Sequence, residues 1–171
     1  MGLGVLGRDA ARHLASLGFK VAGWKREPAA FDGIEVFAGH KSLDAFLAHT
    51  QILVCLLPLT AATRGLVDAE FLRKLPRGAC IINASRGECL VEDDLLAAID
   101  SGHIAGATLD VFAREPLPPD HPFWNHPRMT ITPHVASLTS LEGGARHIAA
   151  AIDDLEADRI PPGLVSRGNG Y

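Results

Sequence analysis

Apolar residues recur along this chain in two alternating rhythms, one with the helical spacing of three and four and one of short continuous runs. Leu6, Ala10, Leu14 and Leu17 share one face of a helix expected from about Arg8 to Leu17, with Gly18 just past its end. A strand from Phe19 to Trp24 follows, then a short helix from Leu43 to Ala48. Gln51 to Leu57 is an apolar run closed by Pro58, the pattern of a strand covered on both faces of a parallel sheet. Further on come a helix from Ala69 to Leu75 and a strand from Ala79 to Asn83. Val91 to Ser101 reads as a helix with Glu92, Asp93 and Asp94 in its first turn, where the helix dipole favours negative charge. Gly106 to Val111 and Met129 to Thr132 are two more strands, separated by a Pro-rich stretch from Glu115 to Pro127, and a long helix from Ser140 to Asp158 follows.

Strands alternating with helices imply βαβ units, an α/β fold and a parallel sheet whose ligands gather at the carboxyl ends of its strands. The chemistry is therefore expected in the loops after Trp24, Leu57, Asn83, Val111 and Thr132. A length of 171 residues, 47% of them hydrophobic and 21% charged, suits one α/β domain with a real core. The net charge of −4 offers no basic field, which argues against nucleic acid or an anionic membrane as partner. Cys55, Cys80 and Cys89 are odd in number and form no C-x-x-C pair, so a disulfide framework or zinc site is not expected and a reducing cytoplasm fits best. The longest apolar run is far too short to span a bilayer, and no signal-peptide pattern opens the chain.

Gly2-Leu3-Gly4-Val5-Leu6-Gly7 matches the G-x-G-x-x-G turn that places a dinucleotide's pyrophosphate on a helix N-terminus. Gly2, Gly4, Val5, Leu6 and Gly7 are thus candidate cofactor residues, and the fold expected is a Rossmann-like doubly wound sheet. The strand that should precede such a turn is missing, because only Met1 stands before Gly2. In the 3-2-1-4-5-6 order that strand is central, so its neighbours would lack a partner. Where an NAD site carries Asp or Glu for the ribose hydroxyls, this chain has Trp24-Lys25-Arg26. A cation pair there suits a 2′-phosphate and favours NADP(H) over NAD(H), although Lys25 and Arg26 beside Glu27 also read as solvated surface charges. Leu57 with Pro58, and Ala84 with Ser85, lie on the same ligand edge and are assigned to the cofactor.

Three polar segments end strands on that edge: Asn83-Ala84-Ser85-Arg86-Gly87, Asp110 through Pro116, and Thr132-Pro133-His134-Val135-Ala136-Ser137. Together with the glycine turn they resemble the D-isomer-specific 2-hydroxyacid dehydrogenase family, across nearly the whole chain. The resemblance implies that Arg86 holds a substrate's carboxylate and carbonyl oxygen, that His134 donates and accepts the proton, that Glu115 pairs with His134, and that Asp110 lies near the nicotinamide. The chemistry is consistent: Arg offers a planar fork to a 2-keto acid, and a carboxylate beside a His fixes the ring and favours its protonated form. Glu115 also reads as a solvated loop carboxylate, and Asp110 as a residue satisfying loop backbone.

Gly23-Trp24-Lys25-Arg26, Arg114 through Pro119 and a tail ending Gly170-Tyr171 are similar to the branch of the family that reduces glyoxylate to glycolate and hydroxypyruvate to glycerate. His121 and His126 bracket Pro122 to Asn125, but no acidic or thiol ligands gather there and no metal is expected. The resemblance further implies a homodimer at full length and a lid domain, to which the tail from about 159 to 171 would return, with residues 1 to 171 forming the nucleotide-binding domain. That lid is absent from this sequence, so the chain alone is expected to be inactive. The competing readings are a nucleotide-binding or dimerisation fragment without turnover, and a dehydrogenase for another 2-hydroxy acid such as phosphoglycerate.

Overall fold

The structure is a computed structural model that describes residues 1–31 and 33–165. The Gly170-Tyr171 tail lies outside the described residues. The chain divides into two compact units, Met1–His134 and a second from Val135 onward.

In the first unit, β1 (Ala22–Lys25) pairs in parallel with β2 (Glu35–Ala38). A second parallel sheet runs in the order β3 (Ile52–Cys55), β4 (Ala79–Asn83), β5 (Ile104–Leu109) and β6 (Met129–Ile131). Among the described residues, the first two of the chain bridge the two sheets. The Met1 amine donates to the Val54 carbonyl at 2.6 Å, Leu56 N–H donates to Met1 O at 3.0 Å, and Gly2 N–H donates to Trp24 O at 3.1 Å. Met1 and Gly2 thus occupy the central strand position and tie β1 to β3, giving the Rossmann-like order with a stub where the first strand belongs.

Helices α1 (Val5–Ser16), α2 (Leu43–Ala48), α3 (Ala69–Lys74) and α4 (Glu92–Asp100) connect the strands. The α3 N-terminus is capped by Asp68, whose carboxylate accepts from Phe71 N–H, and α3 buries Phe71 and Leu72. Helix α4 buries Leu95 and Ile99, one turn apart, into a core that also holds Leu47, Ile104 and Leu109, each fully out of water. Burial of each such side chain is worth about 1.5–3 kcal/mol.

Several elements depart from the sequence expectation. Helix α1 starts at Val5 rather than Arg8, and it buries Gly7 and Ala11 while Leu6 and Leu17 are 60% and 75% exposed. The small residues let the helix sit close to the backbone beneath it, which the bulky face would prevent. The strand expected from Phe19 begins only at Ala22, and β2 was not anticipated at all.

The second unit contains α5 (Leu141–Glu156), whose N-terminus is capped by Ser140 accepting from Gly143 N–H. None of its residues is buried. No helix among the described residues is long and apolar enough to cross a membrane.

Candidate functional site

All six strands run parallel, so their carboxyl ends share one direction and the loops singled out above fall at that edge. At the glycine turn, Gly2 has a φ of 87°, and a Cβ there would stand 2.5 Å from Leu56 O. A Cβ on Gly7 would meet Gly2 O at 2.0 Å, so the turn closes only with glycine at both places. Gly4, by contrast, faces open space and caps α1 without a side-chain hydrogen bond. The first N–H groups of α1 are therefore presented at an open surface, beside Val5 and Leu6, which are both exposed. Such a turn fits a pyrophosphate.

At the end of β1, Trp24 is turned inward, 5% exposed, with its indole N–H donated to Gly39 O. Of the two residues that follow, Lys25 is half-buried and Arg26 exposed. Lys25 Nζ lies 5.9 Å from the Phe31 ring centroid, and the Arg8 guanidinium lies 5.5 Å from the same ring. Leu57 is buried and Pro58 half-buried at the end of the β3 run.

The β4 loop is shaped by Asn83, 1% exposed, whose side-chain oxygen accepts from both Ser85 N–H and Ser85 Oγ, while its amide donates to Arg86 O. Ser85 Oγ lies 3.4 Å from Cys55 Sγ. Ala84 is half-buried and hydrogen-bonds Cys55 O through its N–H. Cys89 also lies near this serine, and burial pushes its thiol pKa up. Gly87 sits so close to the β5 loop that a Cβ on it would be 1.8 Å from the Phe112 carbonyl carbon. That contact locks the two loops together. Arg86 itself is exposed, with its guanidinium folded onto Ser85 O at 2.6 Å.

His134 and Glu115 are brought together: Nδ1 lies 2.8 Å from Oε2, while the other carboxylate oxygen accepts Phe112 N–H at 3.0 Å. Desolvation opposes ionisation of Glu115, but the bonds to His134 and Phe112 outweigh it and hold the carboxyl below its usual range. His134 has a φ of 55°, unusual for a non-glycine residue, and its N–H is held by Asp110 O at 2.9 Å. Asp110 is buried, and its carboxylate accepts from Thr132 Oγ1. The pair borders a cavity of about 490 Å³ lined by Asp110, Thr132 and the apolar Phe112, Leu117, Trp124 and Ile131. Arg86 is not among the lining residues. Most of the apolar wall went unread because, apart from Ile131 on β6, its residues come from the irregular segment between β5 and β6, whose periodicity carries no signal. Among the described residues no group of three metal-ligating side chains occurs.

A parallel α/β sheet with an uncapped glycine turn at its carboxyl edge defines a nucleotide-binding domain of the Rossmann type. Comparison with known proteins refines this. Residues 1–136 match the family described as D-isomer specific 2-hydroxyacid dehydrogenase, NAD binding domain. The chain belongs to the D-isomer-specific 2-hydroxyacid dehydrogenase family. It is 49% identical over all its 171 residues to glyoxylate/hydroxypyruvate reductase A of Yersinia enterocolitica, of which it covers 55%. Among solved structures, a family member from Xanthobacter autotrophicus in complex with NADPH superposes with a TM-score of 0.96 at 47% identity, over 99% of this chain and 70% of that one. An NADPH-dependent glyoxylate/hydroxypyruvate reductase from Sinorhizobium meliloti, in complex with NADP and sulfate, gives 0.95 at 44% identity, over 100% and 55%. The chain spans about half the length of the curated relatives it matches.

Proposed function

We propose that this chain carries the NADPH site and the acid–base residues for reduction of a small 2-keto acid, glyoxylate or hydroxypyruvate, to the 2-hydroxy acid. The observation that carries the reading is the 2.8 Å His134–Glu115 pair on the border of a cavity at the ligand edge. Gly2, Gly4, Val5, Leu6 and Gly7 would hold the pyrophosphate, and Lys25 and Arg26 a 2′-phosphate, with Trp24 anchoring them from behind. Leu57, Pro58, Ala84, Ser85 and Asp110 would border the remainder of the cofactor. When bound, NADPH supplies the hydride.

The chain's own residues manage the substrate and the proton. Arg86, unfolded from Ser85 O, offers its fork to the carboxylate and carbonyl oxygen and stabilises the negative charge that develops on that oxygen. Glu115 holds Nδ1 of His134 as a donor, which leaves Nε2–H to face the substrate. The Nε2–H bond breaks as the new O–H bond forms, and the imidazole is left neutral. Two longer relatives, described as glyoxylate/hydroxypyruvate reductases, support the substrate assignment.

The test is a panel of 2-keto acids offered with NADPH to this chain fused behind the N-terminal half of the Yersinia relative. Faster turnover of glyoxylate and hydroxypyruvate than of bulkier keto acids supports the proposal. A fusion that binds NADPH but oxidises it with none of them would favour a binding fragment without turnover.

A further inference from the structure

Two features remain outside the catalytic reading: the acidic first turn of α4 and the histidine at the start of the 122–125 turn. The structure joins them. Glu92 is 20% exposed, and its Oε1 accepts the Ala113 N–H at 2.9 Å while its Oε2 lies 3.5 Å from Nε2 of His121, itself 20% exposed. His121 in turn accepts Phe123 N–H through Nδ1 and packs edge-on against the buried Phe123 ring, 4.4 Å between centroids. Glu92 therefore grips the loop between β5 and β6 at two separate points. That loop carries Glu115 and most of the apolar wall of the cavity.

The grip falls on a sensitive peptide. Phe112 N–H and Ala113 N–H are adjacent donors, one held by Glu115 and the other by Glu92. With Ala113 fixed by α4, the preceding peptide keeps the orientation that presents Phe112 N–H to Glu115. The Gly87 backbone lies against the same Phe112–Ala113 peptide, which restricts it from the other side. Acceptance of that N–H steadies Glu115, and Glu115 steadies the His134 ring.

We infer that Glu92, backed by His121, is a positioning residue that sets the Glu115–His134 pair through the Phe112–Ala113 peptide. The inference rests on the proposed role of that pair. The charged groups facing Glu115 are His134 and Asp110, and the group facing Glu92 from the loop is His121.

Carboxyl carbon NMR of Glu115 across pH, in the unaltered full chain and its variants, tests it. Glu92→Ala deletes both the charge and the acceptor. Loss of charge alone would lower the Glu115 titration point, whereas loss of the Phe112 bond raises it, so the direction separates the two effects. A rise of about half a pH unit is expected, the equivalent of one hydrogen bond weakened. Glu92→Asp keeps the charge and the helix terminus while withdrawing the oxygen by one methylene, and it should raise the titration too. Glu92→Gln keeps the acceptor and should not, nor should Asp93→Asn, which removes an exposed charge from the same turn. Unchanged titration in both the Asp and Ala variants, or an equal rise in Gln, overturns the inference. His134→Ala reports on the pair separately: no upward movement of Glu115 there would defeat the pair and leave the Glu92 comparison intact.

Discussion

His134 reaches Glu115 across 19 residues of chain, Nδ1 to Oε2 at 2.8 Å, and the second oxygen of the same carboxylate takes the Phe112 N–H. Both oxygens of Glu115 are thus engaged, one by a side chain from the β6 loop and one by backbone of the β5 loop. Two loops that end adjacent parallel strands are joined at one carboxylate.

That arrangement gives a pH dependence of known sign. Because the Glu115 carboxyl is held below its ordinary value of 4.5 in the folded chain, its contribution to stability is present above pH 4.5 and is lost as pH falls through the folded value. The melting-temperature difference between the unaltered chain and Glu115→Gln should therefore be largest above pH 4.5 and shrink on acidification. A difference constant down to pH about 2 would contradict it.

Arg26→Ala should weaken NADPH binding by roughly tenfold to a hundredfold, the size expected for a lost charge-assisted contact, with a much smaller effect on NADH. Isothermal titration with both nucleotides measures this. Equal losses would falsify the 2′-phosphate role of the Lys25–Arg26 edge.

Gly87→Ala drives a methyl into the Phe112 backbone, which cannot swing away as a flexible side chain would. The expected cost is about 3 kcal/mol, seen as a lower urea midpoint at unchanged slope. Gly78→Ala should avoid such a clash, because nothing lies within 4 Å of a Cβ there, although its φ of 86° adds strain of its own.

How much of this was legible in the sequence depended on where the signal lay. Helix α2 and strand β4 were read to the residue: α2 carries Leu43, Phe46 and Leu47 at helical spacing, and β4 is a short apolar run between Gly78 and the polar Asn83. Strand β2 escaped because its four residues owe their strand character to pairing with β1, a contact that local sequence does not encode. The face of α1 was misjudged because periodicity weighs bulk, whereas this helix packs through Gly7 and Ala11. At the site, Glu115 and His134, singled out by motif, stand in contact, whereas Trp24, assigned by motif to the cofactor, turns its side chain into the core. Glu92 was seen as a helix-terminal charge, and its hold on Ala113 emerged only with the fold.

Under the proposed function, His134 supplies the proton in keto-acid reduction while the nucleotide is held elsewhere on the chain. The direct measurement compares His134→Ala with the unaltered sequence in the fusion carrying the Yersinia N-terminal half, following glyoxylate-dependent oxidation of NADPH alongside NADPH affinity. A loss of turnover of about 10²–10⁴-fold is expected, with affinity changed little. Turnover retained in His134→Ala at full nucleotide affinity would contradict it.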